Sequence, residues 1–188
     1  MSEKETPIHY VCTHARAREL IAANDRFWVS NCGCRERNTQ GCKRSRVDVC
    51  LMFREDESSS GSGRKQIGRS EAEAIMKEAQ EKRLVARPFR NEARDQTAGI
   101  CFCCDDCCGY FIDKDEQGNA KYACDQGEMI ETTTIADCTH CGECEPVCYF
   151  YARKMQGDKL TVDRALCFGC GLCVGACPTH CITLAARK

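Results

Sequence analysis

Cys138-Thr-His-Cys141-Gly-Glu-Cys144-Glu-Pro-Val-Cys148 and Cys167-Phe-Gly-Cys170-Gly-Leu-Cys173-Val-Gly-Ala-Cys177-Pro178 decide how this chain is read. Both runs space their cysteines C-x2-C-x2-C-x3-C, a known ligand pattern for cubane iron–sulfur clusters. A cubane needs four thiolates at the corners of a tetrahedron. Two-residue spacers let one tight loop reach three corners, and a remote cysteine closes the fourth. Eight thiols could instead form four disulfides or two four-cysteine zinc sites. Zinc pairs are usually C-x2-4-C units parted by longer loops, so a third cysteine after two more residues is a poor zinc pattern. The disulfide reading needs an oxidising compartment, and nothing in the chain supplies one.

On these residues, Cys138 to Leu184 resembles a bacterial 2[4Fe-4S] ferredoxin domain. The second run matches closely. The first departs twice: Pro146 sits inside its last spacer, and Tyr149 stands where the second run has Pro178. Neither change removes a ligand. The resemblance implies that the fourth cysteine of each run crosses to the other cluster. Cys138, Cys141, Cys144 and Cys177 would hold one cluster, and Cys167, Cys170, Cys173 and Cys148 the other. It also implies a pseudo-twofold unit with a short helix after each run, flanking β-hairpins, and low-potential one-electron transfer.

The expected class is therefore α+β. A two-cluster ferredoxin domain at 129–188 would follow a small Cys-rich metal-binding domain at 1–128. Charge is divided in the same sense: residues 1–99 hold 19 Lys+Arg against 15 Asp+Glu, and residues 100–188 hold 8 against 13. The chain has 20 cysteines in 188 residues, well above the usual level outside disulfide-rich secreted chains. Its start, Met-Ser-Glu-Lys-Glu-Thr-Pro, lacks a charged-then-apolar signal pattern. No apolar run approaches the ~18–20 residues of a membrane span. A cytoplasmic protein from an anaerobe, its thiols serving as metal ligands, is expected.

Two further cysteine groups lie upstream. Cys32-Gly-Cys34-Arg35 leads to Cys42 and Cys50, interleaved with Arg35, Arg37, Lys43, Arg44 and Arg46. Nearby cations favour the thiolate that binds metal. Cys101-Phe-Cys103-Cys104-Asp-Asp-Cys107-Cys108 packs five thiols into eight residues, with Cys101, Cys104 and Cys107 again at C-x2-C-x2-C. These nine cysteines are candidate ligands of at least one further iron–sulfur cluster, with zinc the alternative. The arrangement also resembles a group of anaerobe ferredoxin-type proteins. In them a Cys-x-Cys-Arg segment, an Ala/Glu-rich helix and a dense cysteine stretch precede a two-cubane domain. The dense stretch there usually carries one more cysteine, where this chain has Asp106.

Local patterns fill in the rest. A helix is expected from Thr13 to Asn24, and a buried strand at Phe27–Val29. Residues 54–69 read as a flexible loop. Ser70 with Glu73 reads as a capping box opening a helix whose stripe is Ala72, Ile75, Met76 and Ala79. Leu84 to Arg87 reads as a strand and Phe111 to Tyr122 as a hairpin. Cys12, Cys124 and Cys181 fall outside the ligand patterns and read as buried thiols. His140 and His180 flank ligands, where an N–H could reach cluster sulfur.

No substrate pocket, nucleotide loop or nucleophile with its base is apparent. The leading function is electron transfer to or within a partner oxidoreductase complex, with no catalytic residues. One alternative is an iron–sulfur enzyme or maturation factor using Cys101–Cys108. Another is a redox-sensing regulator whose basic front binds nucleic acid.

Overall fold

A seven-stranded sheet runs through the front of the chain, and two small ribbons brace the cysteine runs at the back. The structure is a computed structural model that describes residues 6–57, 61–117 and 120–188. The front holds β1 (His9–Tyr10), α1 (His14–Ala22), β2 (Phe27–Ser30), α2 (Gly33–Arg37), β3 (Cys50–Met52) and β4 (Lys65–Ile67). It continues with α3 (Arg69–Glu81), β5 (Val85–Arg90), β6 (Thr97–Cys103), α4 (Gly109–Ile112) and β7 (Cys124–Asp125). The sheet order is β4-β2-β3-β6-β5-β1-β7, and every pairing is antiparallel except β1 with β7.

Helices α1 and α3 cover one face. Thr13 caps α1 by accepting from the Arg16 N–H at 3.1 Å, and Ala17 and Ile21 turn inward. The stripe Ala72, Ile75, Met76 and Ala79 of α3 is buried as its period demands. The capping box does not form. The helix begins one residue earlier, at Arg69, with Gly68 as its cap and no side-chain cap bond. Arg69 is held there because its guanidinium donates to the Asn24 carbonyl at 2.8 Å and to Asp25 at 3.1 Å, tying α3 to the end of α1.

The expected loop at 54–69 contains the edge strand β4, which pairs with β2 through Phe27–Ile67 and buries Ile67. Positions 58–60 of that loop lie outside the described residues. The expected Phe111–Tyr122 hairpin begins instead with α4 and keeps one isolated bridge, Lys114 to Ala120. Of the turn expected at Asp115-Glu116-Gln117-Gly118-Asn119, positions 118 and 119 lie outside the described residues.

The back of the chain holds β8 (Met129–Thr133), β9 (Arg153–Gln156), β10 (Lys159–Val162), α5 (Leu172–Ala176) and β11 (Ile182–Ala186). β8 pairs with β11, and β9 with β10, both antiparallel. A 3₁₀ turn enters each run, at Ile135–Asp137 and Arg164–Leu166. Helix α5 lies inside the second run rather than after it. The matching stretch of the first run makes only turns, since Pro146 has no N–H to give to a helix.

Two cores result. Helices α1 and α3 pack on Phe27, Leu51, Ile100 and Phe102. On the opposite face Val11, Val85, Tyr110 and Phe111 pack with Val147, Tyr149, Phe150 and Leu172 from the cysteine runs. Rings dominate this seam: Phe150 stacks on Phe168 at 4.3 Å, and Phe111 meets Phe150 and Tyr149 edge-on. Tyr149, the departure from the second run's Pro178, donates its hydroxyl to the Arg83 carbonyl at 3.1 Å. Among the described residues no helix is long and apolar enough to cross a membrane.

Candidate metal centres

The two runs repeat their backbone as well as their spacing. Positive φ recurs before and after the second cysteine and three residues beyond the fourth. These positions are His140, Gly142 and Tyr151 in the first run, and Gly169, Gly171 and His180 in the second. Such reversals turn successive N–H groups inward, a geometry that suits a negatively charged cluster. At Gly169 the requirement is absolute, because a Cβ there would stand 2.0 Å from the Met129 carbonyl oxygen.

Two cavities open between the runs. One is lined by Cys138, Cys141, Cys144 and Cys177, with Cys181 beside them. The other is lined by Cys148, Cys167, Cys170 and Cys173, with Phe150, Phe168, Arg153 and Glu131. All the sulfur donors are soft, as iron–sulfur ligation requires. The His140 N–H points to Cys138 Sγ at 3.4 Å. Its ring Nδ1 accepts from the Leu160 N–H at 3.0 Å and so has no proton to give Cys138 Sγ, 3.9 Å away. Burial raises Cys170 to about 12 and Cys173 to about 11. Free thiols there stay protonated, so metal must supply the stabilisation that makes them thiolates. Burial also pushes Cys177 up, but hydrogen bonds from Thr179 and Cys181 outweigh it and bring Cys177 to about 7.

Three contributors had no signature in the pattern. Cys181 Sγ lies 3.5 Å from Cys177 Sγ. Arg153, 1% exposed, donates to Cys144 Sγ at 3.5 Å while also lining the second cavity. Its other nitrogen pairs with Glu131, itself 1% exposed, and reaches Thr133 Oγ1 at 2.8 Å. A buried guanidinium thus sits between the two quartets, fixed by a buried carboxylate.

The nine upstream thiols do not gather into one site. Sheet alternation separates them. In β6, Ile100 and Phe102 face the helices, whereas Cys101 and Cys103 face the other way. Cys103 and Cys108 receive Arg87 Nη1 at 3.6 and 3.4 Å, and the same guanidinium lies 4.5 Å above the Tyr110 ring. Burial lowers the Arg87 pKa, but Cys103, Cys124, Cys108 and Cys101 together hold it above its ordinary value. Cys34 joins this group. It is held well below the ordinary thiol range by hydrogen bonds from Cys108 and Cys32, then by the Gly109 N–H at 3.5 Å and Arg37. Cys50 packs beside Cys101 with Trp28 and Met52. Past the end of β6 the chain turns back, and Cys104 and Cys107 join Cys42 on the helix side. Cys12 is a buried core thiol, raised to about 12 by burial. Asp105 and Asp106 are both engaged, Asp105 with Arg44 at 2.9 Å and Asp106 with the Lys43 N–H at 2.8 Å.

Residues 137–181 match the 4Fe-4S dicluster domain family. Ferredoxin-1 of Chlorobaculum tepidum is 36% identical over 52 residues, covering 24% of this chain and 84% of that protein. The chain belongs to the 4Fe-4S dicluster ferredoxins. Indolepyruvate oxidoreductase subunit IorA of Archaeoglobus fulgidus is 33% identical over 57 residues, covering 30% of this chain. The match spans only 9% of that archaeal subunit's length. No solved structure matches the chain. The ferredoxin domain binds 4Fe-4S and supports iron–sulfur electron transfer.

Proposed function

We propose that this protein is a cytoplasmic electron carrier that uses two [4Fe-4S] clusters to pass single low-potential electrons to an oxidoreductase partner. Cys138, Cys141, Cys144 and Cys177 would hold one cluster, and Cys167, Cys170, Cys173 and Cys148 the other. One observation carries this reading: each of two cavities is lined by one of these crosswise quartets. The ferredoxin domain would span 129–188, and a metal-binding domain 1–128. The partner class is suggested by the likeness to a subunit named for an oxidoreductase.

When bound, each cluster takes up and releases one electron without a proton or a bond change. The rest is set by the chain. Cys141 is the exposed ligand, and Glu143 beside it is exposed too. An acidic rim over the outer quartet attracts a basic docking surface and speeds encounter. The inner quartet backs onto the stacked pair Phe150–Phe168 and, through it, onto Tyr110 and Phe111 beside Cys108. Electrons entering at Cys141 would pass inward past Arg153 to that seam. The thiols around Arg87, namely Cys34, Cys103 and Cys108 with Cys32 and Cys101, are the candidates for a further iron–sulfur cluster.

Anaerobic iron and sulfide analysis with a dithionite reduction followed by electron paramagnetic resonance tests the proposal. About eight irons in the ferredoxin domain, at four per cubane, and interacting one-electron signals are expected. A colourless oxygen-free preparation would sink it.

A further inference from the structure

The helix-side trio differs in kind from every other thiol group. Cys42 Sγ lies 3.7 Å from Cys104 Sγ, and Cys104 Sγ lies 3.4 Å from Cys107 Sγ. All three fall within 4.8 Å of one another, and no fourth Cys, His, Asp or Glu ligand atom among the described residues joins them. One tetrahedral ion with metal–sulfur bonds of about 2.3 Å sets its sulfurs about 3.8 Å apart. A cubane cannot accept that spacing, because each thiolate binds a different iron at a different corner. Neither ferredoxin quartet contains three sulfurs so close together among the described residues.

We infer that Cys42, Cys104 and Cys107 form a mononuclear site for one soft divalent ion of the zinc class, with water or a small external ligand in the fourth position. Thiolate is the donor such an ion prefers over carboxylate. The two neighbouring carboxylates are committed elsewhere, Asp105 to Arg44 and Asp106 to the Lys43 N–H. Three thiolates around a divalent ion leave one net negative charge. The buried Arg35 guanidinium is positioned to offset it, fixed by the Arg46 carbonyl at 2.6 Å and the Phe102 carbonyl at 2.8 Å. Helix α2 places Arg35 as that counter-charge.

The site stands apart from the ferredoxin reading, and metal counting separates the two. Full-length protein, made with both iron and zinc supplied and purified without oxygen, is assayed for each metal. The expected result is about one zinc per chain beside iron in multiples of about four. Cys42→Ser and Cys104→Ser should lose the zinc and keep the iron. Zinc absent from the wild type, or about four irons lost in Cys104→Ser, overturns the inference. Cys104 is fully buried and its variant could fail to fold, whereas Cys42 lies on a partly exposed loop. X-ray absorption at the zinc edge of the wild type decides independently of any variant. Three sulfur neighbours at about 2.3 Å and one lighter atom support the site, and a shell of nitrogen and oxygen overturns it. Failure of the ferredoxin proposal would appear instead as missing iron with the zinc intact.

Discussion

The ferredoxin cysteines stand around cavities, whereas Cys42, Cys104 and Cys107 stand in contact. The first arrangement is written in the spacing of one short segment. Positive-φ positions at Gly169 and His140 wrap each loop around a space. The second arrangement is assembled by the sheet. Strand β6 alternates its thiols across two faces, and the turn after it sends Cys104 and Cys107 back toward Cys42, far off in sequence. Similar local spacings therefore end as different sites, because one is organised by a loop and the other by a strand end. The Cys101, Cys104, Cys107 spacing imitates the ferredoxin runs, yet the strand parts Cys101 from the other two.

The largest expected effect tests the crosswise quartets. Cys148→Ala and Cys170→Ala should each abolish the same paramagnetic signal and about four irons. Cys144→Ala should abolish the other signal. Loss of the same signal in Cys148→Ala and Cys144→Ala would break the crosswise assignment. Next comes Arg87, the cation enclosed by the thiols on the opposite face. Hydrogen bonding among the thiols and burial push Cys103 and Cys108 up, so they carry charge only with metal bound. In the metal-loaded protein Arg87→Met removes their counter-charge and should cost about 3–5 kcal/mol by chemical denaturation, as removal of one member of a buried charge group does. A cost below about 1 kcal/mol would mean that the thiols around it do not carry charge in the folded protein.

A smaller effect is expected between the two quartets. Arg153 lies against Cys144 and lines the cavity of Cys173. A positive charge there favours the reduced, more negative clusters. At ~5 Å and an effective dielectric constant of ~20, removing it should lower the potential on the order of 0.1 V, less whatever Glu131 cancels. Arg153→Gln, followed by anaerobic redox titration, should show both potentials falling, and Arg153→Lys should restore most of the change. Potentials unchanged in Arg153→Gln would place the guanidinium outside the electrostatic reach of the clusters, and an upward shift would overturn its role as their counter-charge.

Much of the back of the molecule was legible because ligand spacing acts over a few residues. The resemblance implied β-hairpins flanking the runs, and β9 with β10 forms one. In the front, α3 was found by its apolar stripe, but its start was not. Ser70 and Glu73 form a good local cap, and the tertiary pairing of Arg69 with Asn24 and Asp25 outcompetes it. Strand β4 was hidden because Lys65 and Gln66 are exposed edge residues that carry no apolar signal. Arg153, Arg87 and Cys181 were not legible as site residues, since a guanidinium beside sulfur depends on packing between distant segments. Tyr149 carried a signal, its replacement of Pro178's counterpart, whose meaning became clear only at the seam. Tyr149→Phe should cost about 0.5–1.5 kcal/mol, the ordinary worth of the hydrogen bond to Arg83, read from the thermal midpoint.

The smallest effect lies where the two halves meet. His14 Nε2 sits 2.7 Å from the Leu84 carbonyl, and the side chain faces a cleft whose other wall holds Cys170, Gly171 and Leu172. Burial lowers the His14 pKa from 6.5, the Leu84 carbonyl opposes that, and Arg18 adds to it. Above pH 6.5 the imidazole is neutral whether the chain is folded or not, and it leaves stability unchanged with pH. Below pH 6.5 the unfolded chain takes up the proton first, so stability falls as the solution is acidified. The slope cannot exceed about 1.4 kcal/mol per pH unit. His14→Gln keeps a donor for Leu84 and removes the titration. The difference in stability between wild type and His14→Gln should therefore change below pH 6.5, in the direction of wild type losing more, while cluster acid lability cancels between the two. A difference that stays flat from pH 7.5 to 5.5 would show that His14 is open to water, and that the cleft between the thiol loops and the sheet is wider than its walls suggest.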